Sequence, residues 1–300
     1  MTTAMASAGF TNPYFTNERP QGQGAYTTPL APQQAPTVGE QAHLEGMYAA
    51  PSAGTPQTGR MTYEDTIVKT VILFAVMLAT AAVSWFITLG GHFTAVNLAY
   101  GAAYIWPTAV GAIGTLVISL VYAFRRKTIP GAGLAVAYAV FEGLFVGGIS
   151  AIFETMFPGI VIQAALASIA VIGTTLALFA SGKIRASAKM TKIVMIAMIG
   201  YAVFSLLNVG LMMFGVLPEG MAFGLRSMTI AGIPLGVIIG IAVVLMGAYM
   251  LVMDFDAVQR GVRNGAPAKL AWTAAYGILA TVVFIYIEIL RLLAILRGND

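Results

Sequence analysis

Four carboxylates and one arginine stand where an apolar chain has little use for them. Asp254 and Asp256 close the run Leu251-Val252-Met253-Asp254-Phe255-Asp256. Glu288 and Arg291 interrupt the next apolar run, which extends from Phe284 to Leu293, and Glu142 sits in an earlier one. An ionisable group inside a bilayer is costly and is a functional candidate by default. Two carboxylates held close in a low dielectric cannot readily both ionise and share a proton, which is the chemistry of a pH sensor. Doubly ionised, the same pair offers oxygen ligands to a hard cation, so Asp254 and Glu288 are candidate Ca²⁺ ligands. Without further oxygens such a site is weak.

Each residue has a plainer reading. Asp254 and Asp256 are two residues apart and point about 200° apart on a helix, so only one of them can face Glu288. Both could instead be interfacial acids paired with Arg260 or Arg263. Glu288 and Arg291 have the spacing of an intrahelical ion pair, with Arg291 as the charge partner. Glu142 is either a third acid facing the same interior or a group that snorkels to an interface. Asn208, Gln163 and Ser150 read as interhelical hydrogen-bond partners rather than ion ligands.

Other chemistries lack their residues. There are no cysteines, and the two histidines, His43 and His92, fall outside the apolar runs. That excludes disulfides, thiolate metal sites and a Ser–His dyad within a span. No Gly-x-Gly-Asp run of an intramembrane aspartyl protease and no phosphate-cradling glycine motif is present. The chain reads as a non-enzyme without a cofactor, with Ca²⁺ or H⁺ as the ion that permeates or is sensed. The net charge of +4 is no nucleic-acid signal, because the basic residues lie in short loops.

The elements that must place these acids are membrane spans. Apolar residues make up 58% of the chain and charged residues only 9%, and the mean hydropathy is +0.84. Apolar runs of about 20 residues, each long enough for the roughly 30 Å hydrocarbon core, recur from Thr66 onward. The expected fold is an all-α polytopic membrane protein with seven spans, at 67–89, 102–124, 133–153, 158–180, 191–214, 229–253 and 269–296.

Residues 1–60 read as a disordered cytoplasmic tail rich in Ala, Gly, Pro, Thr and Gln, and residues 61–300 as the transmembrane domain. The tail shows no secretory signal, so the first span is its own insertion signal. Thr62 and Asp65 have the spacing of a capping box, and Lys69 can snorkel from the first turn. Gly143 and Gly147 are a small-xxx-small pair, and Gly236 and Gly240 promise another close approach. Pro234 predicts a kink in span six.

Basic residues set the orientation. Arg125, Arg126 and Lys127 follow span two, Lys183, Arg185, Lys189 and Lys192 follow span four, and Arg260, Arg263 and Lys269 follow span six. The opposite loops hold Arg226 alone. The positive-inside rule then places the N-terminus in the cytoplasm and the C-terminus outside a cell membrane, with the lipid bilayer and inorganic cations as partners.

From Met61 to about Arg297 the sequence resembles the Bax inhibitor-1 family, also called TMBIM or YccA. The acids ending span six and the run Ile285-Tyr286-Ile287-Glu288-Ile289 are similar to the family's Asp closing span six and its Tyr-Leu-Asp run in span seven. Met61 to Asp65, Glu142 to Leu144 and Arg263 to Pro267 are similar to the actinobacterial branch. The resemblance implies six helices around a central seventh and a pH-sensing carboxylate pair between helices six and seven. The span-six acid falls on Asp254, with Asp256 its rival, and the span-seven acid on Glu288. Some members leak Ca²⁺, and eukaryotic members suppress cell death. Three departures stand out. Span seven carries Glu for Asp, Arg291 replaces an expected Asn, and spans two and three offer no buried Arg to act as a latch.

The resulting expectation is a pH-sensitive, channel-like cation leak. The alternative is a non-conducting membrane protein that regulates a protease or stress pathway through a membrane protein partner. One tension remains within the paired-acid reading. Glu288 lies about 28 Å along an ideal seventh helix from its basic end, whereas Asp254 ends span six near that same end. Pairing requires a broken seventh helix or a sixth helix that reaches deeper.

Overall fold

The computed structural model describes residues 59–91, 104–124, 131–216, 223–230 and 232–298, all within one compact unit, Ala53–Asp300. The tail up to residue 58, His43, His92, the Arg125–Lys127 loop, Pro218 and Glu219 lie outside the described residues. Among the described residues, seven helices are long and apolar enough to cross a membrane. They are α1 (Tyr63–Thr88), α2 (Trp106–Phe124), α3 (Ala132–Met156), α4 (Ile160–Ala180), α5 (Ala188–Met213), α6 (Leu235–Arg263) and α7 (Leu270–Arg297).

The apolar surface is turned outward, as a lipid solvent allows. Ile67, Leu116, Ile169 and Leu206 are each at least 60% exposed. Interior faces carry small or polar residues instead. On α1, Leu73, Met77, Ser84 and Thr88 recur at spacings of four and seven and are buried. Ser84 donates to the carbonyl of Leu144 on α3 at 2.6 Å. Lipid tails are as apolar as leucine, so helices associate through close packing and hydrogen bonds rather than through hydrophobic burial. Gly143 lies against Thr80 and Gly147 against the backbone of Ala81, so α3 meets α1 with almost no intervening side chain.

α7 is the central element. It packs against α1, α3, α4 and α6. It reaches α2 through Tyr276, stacked on Tyr122 with ring centroids 3.9 Å apart. It reaches α5 through Tyr201, whose hydroxyl donates to Glu288 at 2.6 Å. Six helices around a seventh is the arrangement expected from the sequence. The glycine face of α6 lies on α7, with Gly236 against Ile295, Gly240 against Leu292 and Gly247 against Ile285.

The N-terminal end of α1 is tied in. Thr62 accepts from the Asp65 amide at 3.1 Å. Met61 donates to Ala266 at 2.7 Å and Ala268 to Gly59 at 3.0 Å, fastening the α6–α7 loop. Lys69 does not snorkel. It pairs with Asp65 at 2.6 Å, donates to the Ala268 carbonyl at 3.1 Å and lies over the Trp272 ring.

Two expectations about span six are corrected. The helix starts at Leu235, after a 3₁₀ turn (Gly224–Ser227) and two short antiparallel strands, β1 (Thr229–Ile230) and β2 (Ile233–Pro234). Pro234 therefore precedes the helix and kinks nothing, since a residue without an N–H costs least where no helical bond is due. The helix also runs to Arg263, ten residues past the expected end at 253. Hydropathy marks where lipid-like composition stops, and the helix continues beyond that point.

Replacing Gly147 by Val places a branched side chain against the Ala81 backbone, which cannot rotate away. The expected cost is about 2–3 kcal/mol, seen as a lower melting temperature in detergent. Gly173, with open space around its Cβ position, should accept Ala without loss. Equal behaviour of the two variants would contradict the close α1–α3 contact.

Candidate functional site

The polar groups of the interior are strung along α7. Thr281, Glu288 and Arg291 interrupt its apolar run, Thr281 meeting Asp254 of α6 and the other two meeting Tyr201 of α5.

Asp254 lies nine residues before the end of α6, and so inside the bundle rather than at its edge. It accepts from the Thr281 hydroxyl at 2.6 Å and lies over the Cα of Gly277. Asp256 points elsewhere and pairs with the largely exposed Arg260 at 3.0 Å. Of the two acids that helical periodicity separates, Asp254 faces α7 and Asp256 takes the interfacial role.

Glu142 is 4% exposed, and its Oε2 has no hydrogen-bond partner among the described residues. Its carboxyl faces Thr115 of α2 and the Tyr138 hydroxyl on its own helix. Tyr138 meets Tyr276 of α7 edge-on, with centroids 4.5 Å apart. Glu142 is thus an interior acid and not a snorkelling one.

Glu288, also 4% exposed, sits in a charged cluster. Arg291 donates to its two carboxylate oxygens at 2.9 and 3.1 Å, so the intrahelical pair anticipated from the spacing is present. The pair does not stand alone. The Tyr201 hydroxyl donates to Glu288 and accepts from Arg291 at 2.6 Å and from Arg226 at 2.9 Å. Arg226 also donates to Ser205 at 2.8 Å and lies over the rings of Tyr201 and Phe204. Burial, and then the neighbouring Arg291, weaken its hold on its proton, although arginine stays charged in proteins.

The loop that carries Arg226 is held from α5. Asn208 donates to the Phe223 carbonyl at 3.2 Å and accepts from the Leu225 amide at 2.7 Å. Gly224 adopts φ +64° directly over Asn208, a place and conformation that a side chain would not share. Asn208 is thus a hydrogen-bond partner rather than an ion ligand, although it fastens the connecting turn to α5 and not one span to another. Ser150, bonded to Tyr286 at 2.7 Å, and Gln163, which accepts from Arg297 at 3.1 Å, bridge spans.

Asp254 and Glu288 do not form a carboxylate pair. Thr281, which holds Asp254, precedes Glu288 by seven residues, about 10 Å along a continuous α7. The deeper reach of α6 brings Asp254 toward mid-bundle but not to Glu288, and α7 is unbroken. The shared Ca²⁺ site considered for these two residues is not assembled, and no cluster of three or more acidic, His or Cys residues occurs among the described residues. The acid that shares a space with Glu288 is Glu142. Both line a cavity of about 500 Å³ between α2, α3, α5 and α7, together with Tyr138, Tyr201, Ser205 and Arg291.

Three participants escaped the sequence reading. Arg226 had a signal, as the lone basic residue in loops otherwise free of charge. Tyr201 had a weaker one, because tyrosine prefers the membrane interface and this one is mid-helix. Thr281 had none.

The sequence model of the family described as Bax inhibitor 1 like matches residues 12–298. The chain belongs to this family. The match covers all seven helices and begins within the N-terminal tail, so it is wider than the resemblance that starts at Met61. Comparison with curated proteins finds none that matches the chain.

Tyr201→Phe removes one hydroxyl that serves three charged groups. Hydrogen bonds to charged groups contribute about 1.5–3 kcal/mol each, so a loss of at least that size is expected in thermal or denaturant unfolding. Asp256→Asn, which breaks a surface pair, should change stability by less than about 1 kcal/mol.

Proposed function

We propose that this Bax inhibitor 1-like protein is a pH-responsive, channel-like membrane protein that permits slow cation flux, with Ca²⁺ as the leading permeant ion. Its proposed setting is a cell membrane, with the N-terminus in the cytoplasm and the C-terminus outside. The observation that carries the reading is the cavity of about 500 Å³ lined by Glu142 and Glu288 from different helices. Asp254 lies two turns away along α7, toward the other end of the bundle. Oxygen ligands inside a bilayer suit a hard cation, and intramembrane acids mark ion pathways more often than they stabilise a fold.

The gate in this reading is a set of separately held acids rather than one shared proton. Ionised Glu288 is bound to Arg291 and Tyr201, which closes the α5 side of the cavity. Loss of the bonds that Arg291 and Tyr201 make to Glu288 frees α5 to shift. Asp254 of α6 and Thr281 of α7 form a second checkpoint, about two turns before Glu288 on α7.

The test is Ca²⁺ flux into proteoliposomes containing the purified full chain, over about pH 5 to 8. The wild type should conduct with a marked pH dependence. Glu288→Gln and Asp254→Asn should each flatten that dependence, and Glu142→Gln should reduce the flux itself. Silence of the wild type at every pH would remove the channel reading. A stable co-purifying membrane partner would then favour the non-conducting regulatory role.

A further inference from the structure

A second, smaller cavity of about 210 Å³ lies beside the Glu288 cluster, between α5, α7 and the turn that carries Arg226. Its polar lining consists of Ser205, Asn208, Arg226 and Arg291, with no acidic side chain among the lining residues. Asn208 is committed to the backbone of the 223–225 turn and to the Met212 sulfur. Ser205 accepts from Arg226 and has its own proton left to donate.

Among the described residues, the charges around this cavity do not balance. Arg226 and Arg291 supply two positive charges, and Glu288 supplies one negative charge. The contacts of Glu288 go to Arg291 and Tyr201. Among the described residues, Arg226 reaches only neutral oxygens, those of Tyr201 and Ser205, and two aromatic rings. It is 5% exposed, and its Nε has no partner among the described residues. A buried ion in that condition is destabilising unless a counter-charge joins it. Arginine presents its donors as a planar fork suited to anionic oxygens.

We infer that this cavity binds a small monovalent anion, a halide or a carboxylate of formate size, between Arg226 and Arg291 with the Ser205 hydroxyl as a third donor. One uncompensated positive charge selects a single negative charge over a double one. The volume admits such an ion with a few waters, each of which fills roughly 30 Å³. The bonds from Asn208 to the turn hold Arg226 in place whether or not the ion is bound.

The experiment measures the melting temperature of the detergent-purified full chain at constant ionic strength. Sodium chloride or sodium formate is exchanged against the sodium salt of HEPES, a sulfonate too bulky for the cavity. The wild type should show a saturable rise with either anion. The two rises should not add, because both anions use one site. Arg226→Gln should abolish the response, and Ser205→Ala should raise the half-saturating concentration about fivefold, the effect of one hydrogen bond. Should Arg226→Gln fail to fold, Ser205→Ala decides. The inference is overturned if the wild type gives no saturable response, as it would if Glu219 in the preceding loop already supplied the counter-charge. It is also overturned if the response is unchanged in the folded variants, or if sulfate stabilises as well as chloride does.

Discussion

A charged side chain in hydrocarbon has no solvent to turn to, so each ion on the central helix must find its partners on that helix or on a neighbouring element. That constraint organises this bundle. Glu288 takes its second partner, Tyr201, from α5, and Arg226 reaches the same hydroxyl from the α5–α6 connection. The consequence is clearest for α5, where only Val194 and Asn208 are buried. Packing alone gives this helix little hold on the rest. Its attachment is polar, through Tyr201, Ser205 and Asn208 in its C-terminal half and through Tyr249, which bonds Thr191 and the Ser187 backbone, at its start. The opposite pattern holds for α1 and α3, which are joined by glycine-to-backbone contact along much of their length.

Two modes of attachment give the bundle a rigid part and a conditional part. Contacts made by small residues do not depend on protonation, so α1, α2, α3 and the first half of α7 form a fixed frame. The bonds that hold α5 to α7 all pass through or beside a carboxylate. The cavity that Glu142 and Glu288 share is bounded by α5 on one side. Any gating by protonation therefore has a specific mechanical target, the helix whose seat depends on charge.

Much of this was legible in the residues, and the parts that were not share a cause. Span number followed from apolar length, and the close approach of α3 and of α6 to some neighbour from glycine spacing, although not which neighbour. The geometric separation of Asp254 from Asp256 followed from helical period. The extent of α6 did not, because the stretch from Asp254 to Arg263 is polar enough to look like a loop, although nothing in it breaks a helix. That one misjudged end moved Asp254 from the interface to the interior. The partner of Glu288 was invisible for a different reason. Tyr201 and Glu288 are 87 residues apart, and no local pattern encodes a contact made across the bundle. Arg226 sat in plain view as an exception to the charge alternation. A lone basic residue in loops otherwise free of charge needs a structural reason, and here Arg226 is buried and bonded to the Tyr201 and Ser205 hydroxyls.

Separation of Asp254 from Glu288 changes what a pH response in this protein has to mean. A shared proton would make the two acids one titrating unit with two apparent steps. Asp254 of α6 meets α7 at Thr281, about 10 Å along that helix from Glu288, so the two acids do not share a proton directly. Between Thr281 and Glu288, α7 carries apolar residues and Tyr286, whose hydroxyl bonds Ser150. Tyr276, which meets Tyr138 and is faced by Glu142, precedes Thr281 and so lies on the far side of it from Glu288 along α7. Communication between the two acids then runs through movement of α7 or of the helices that border the cavity Glu142 and Glu288 share. The unpartnered Oε2 of Glu142 makes this acid the natural point of entry for a proton or a cation, because it is the one buried carboxylate oxygen in the described interior whose bonding capacity is unspent.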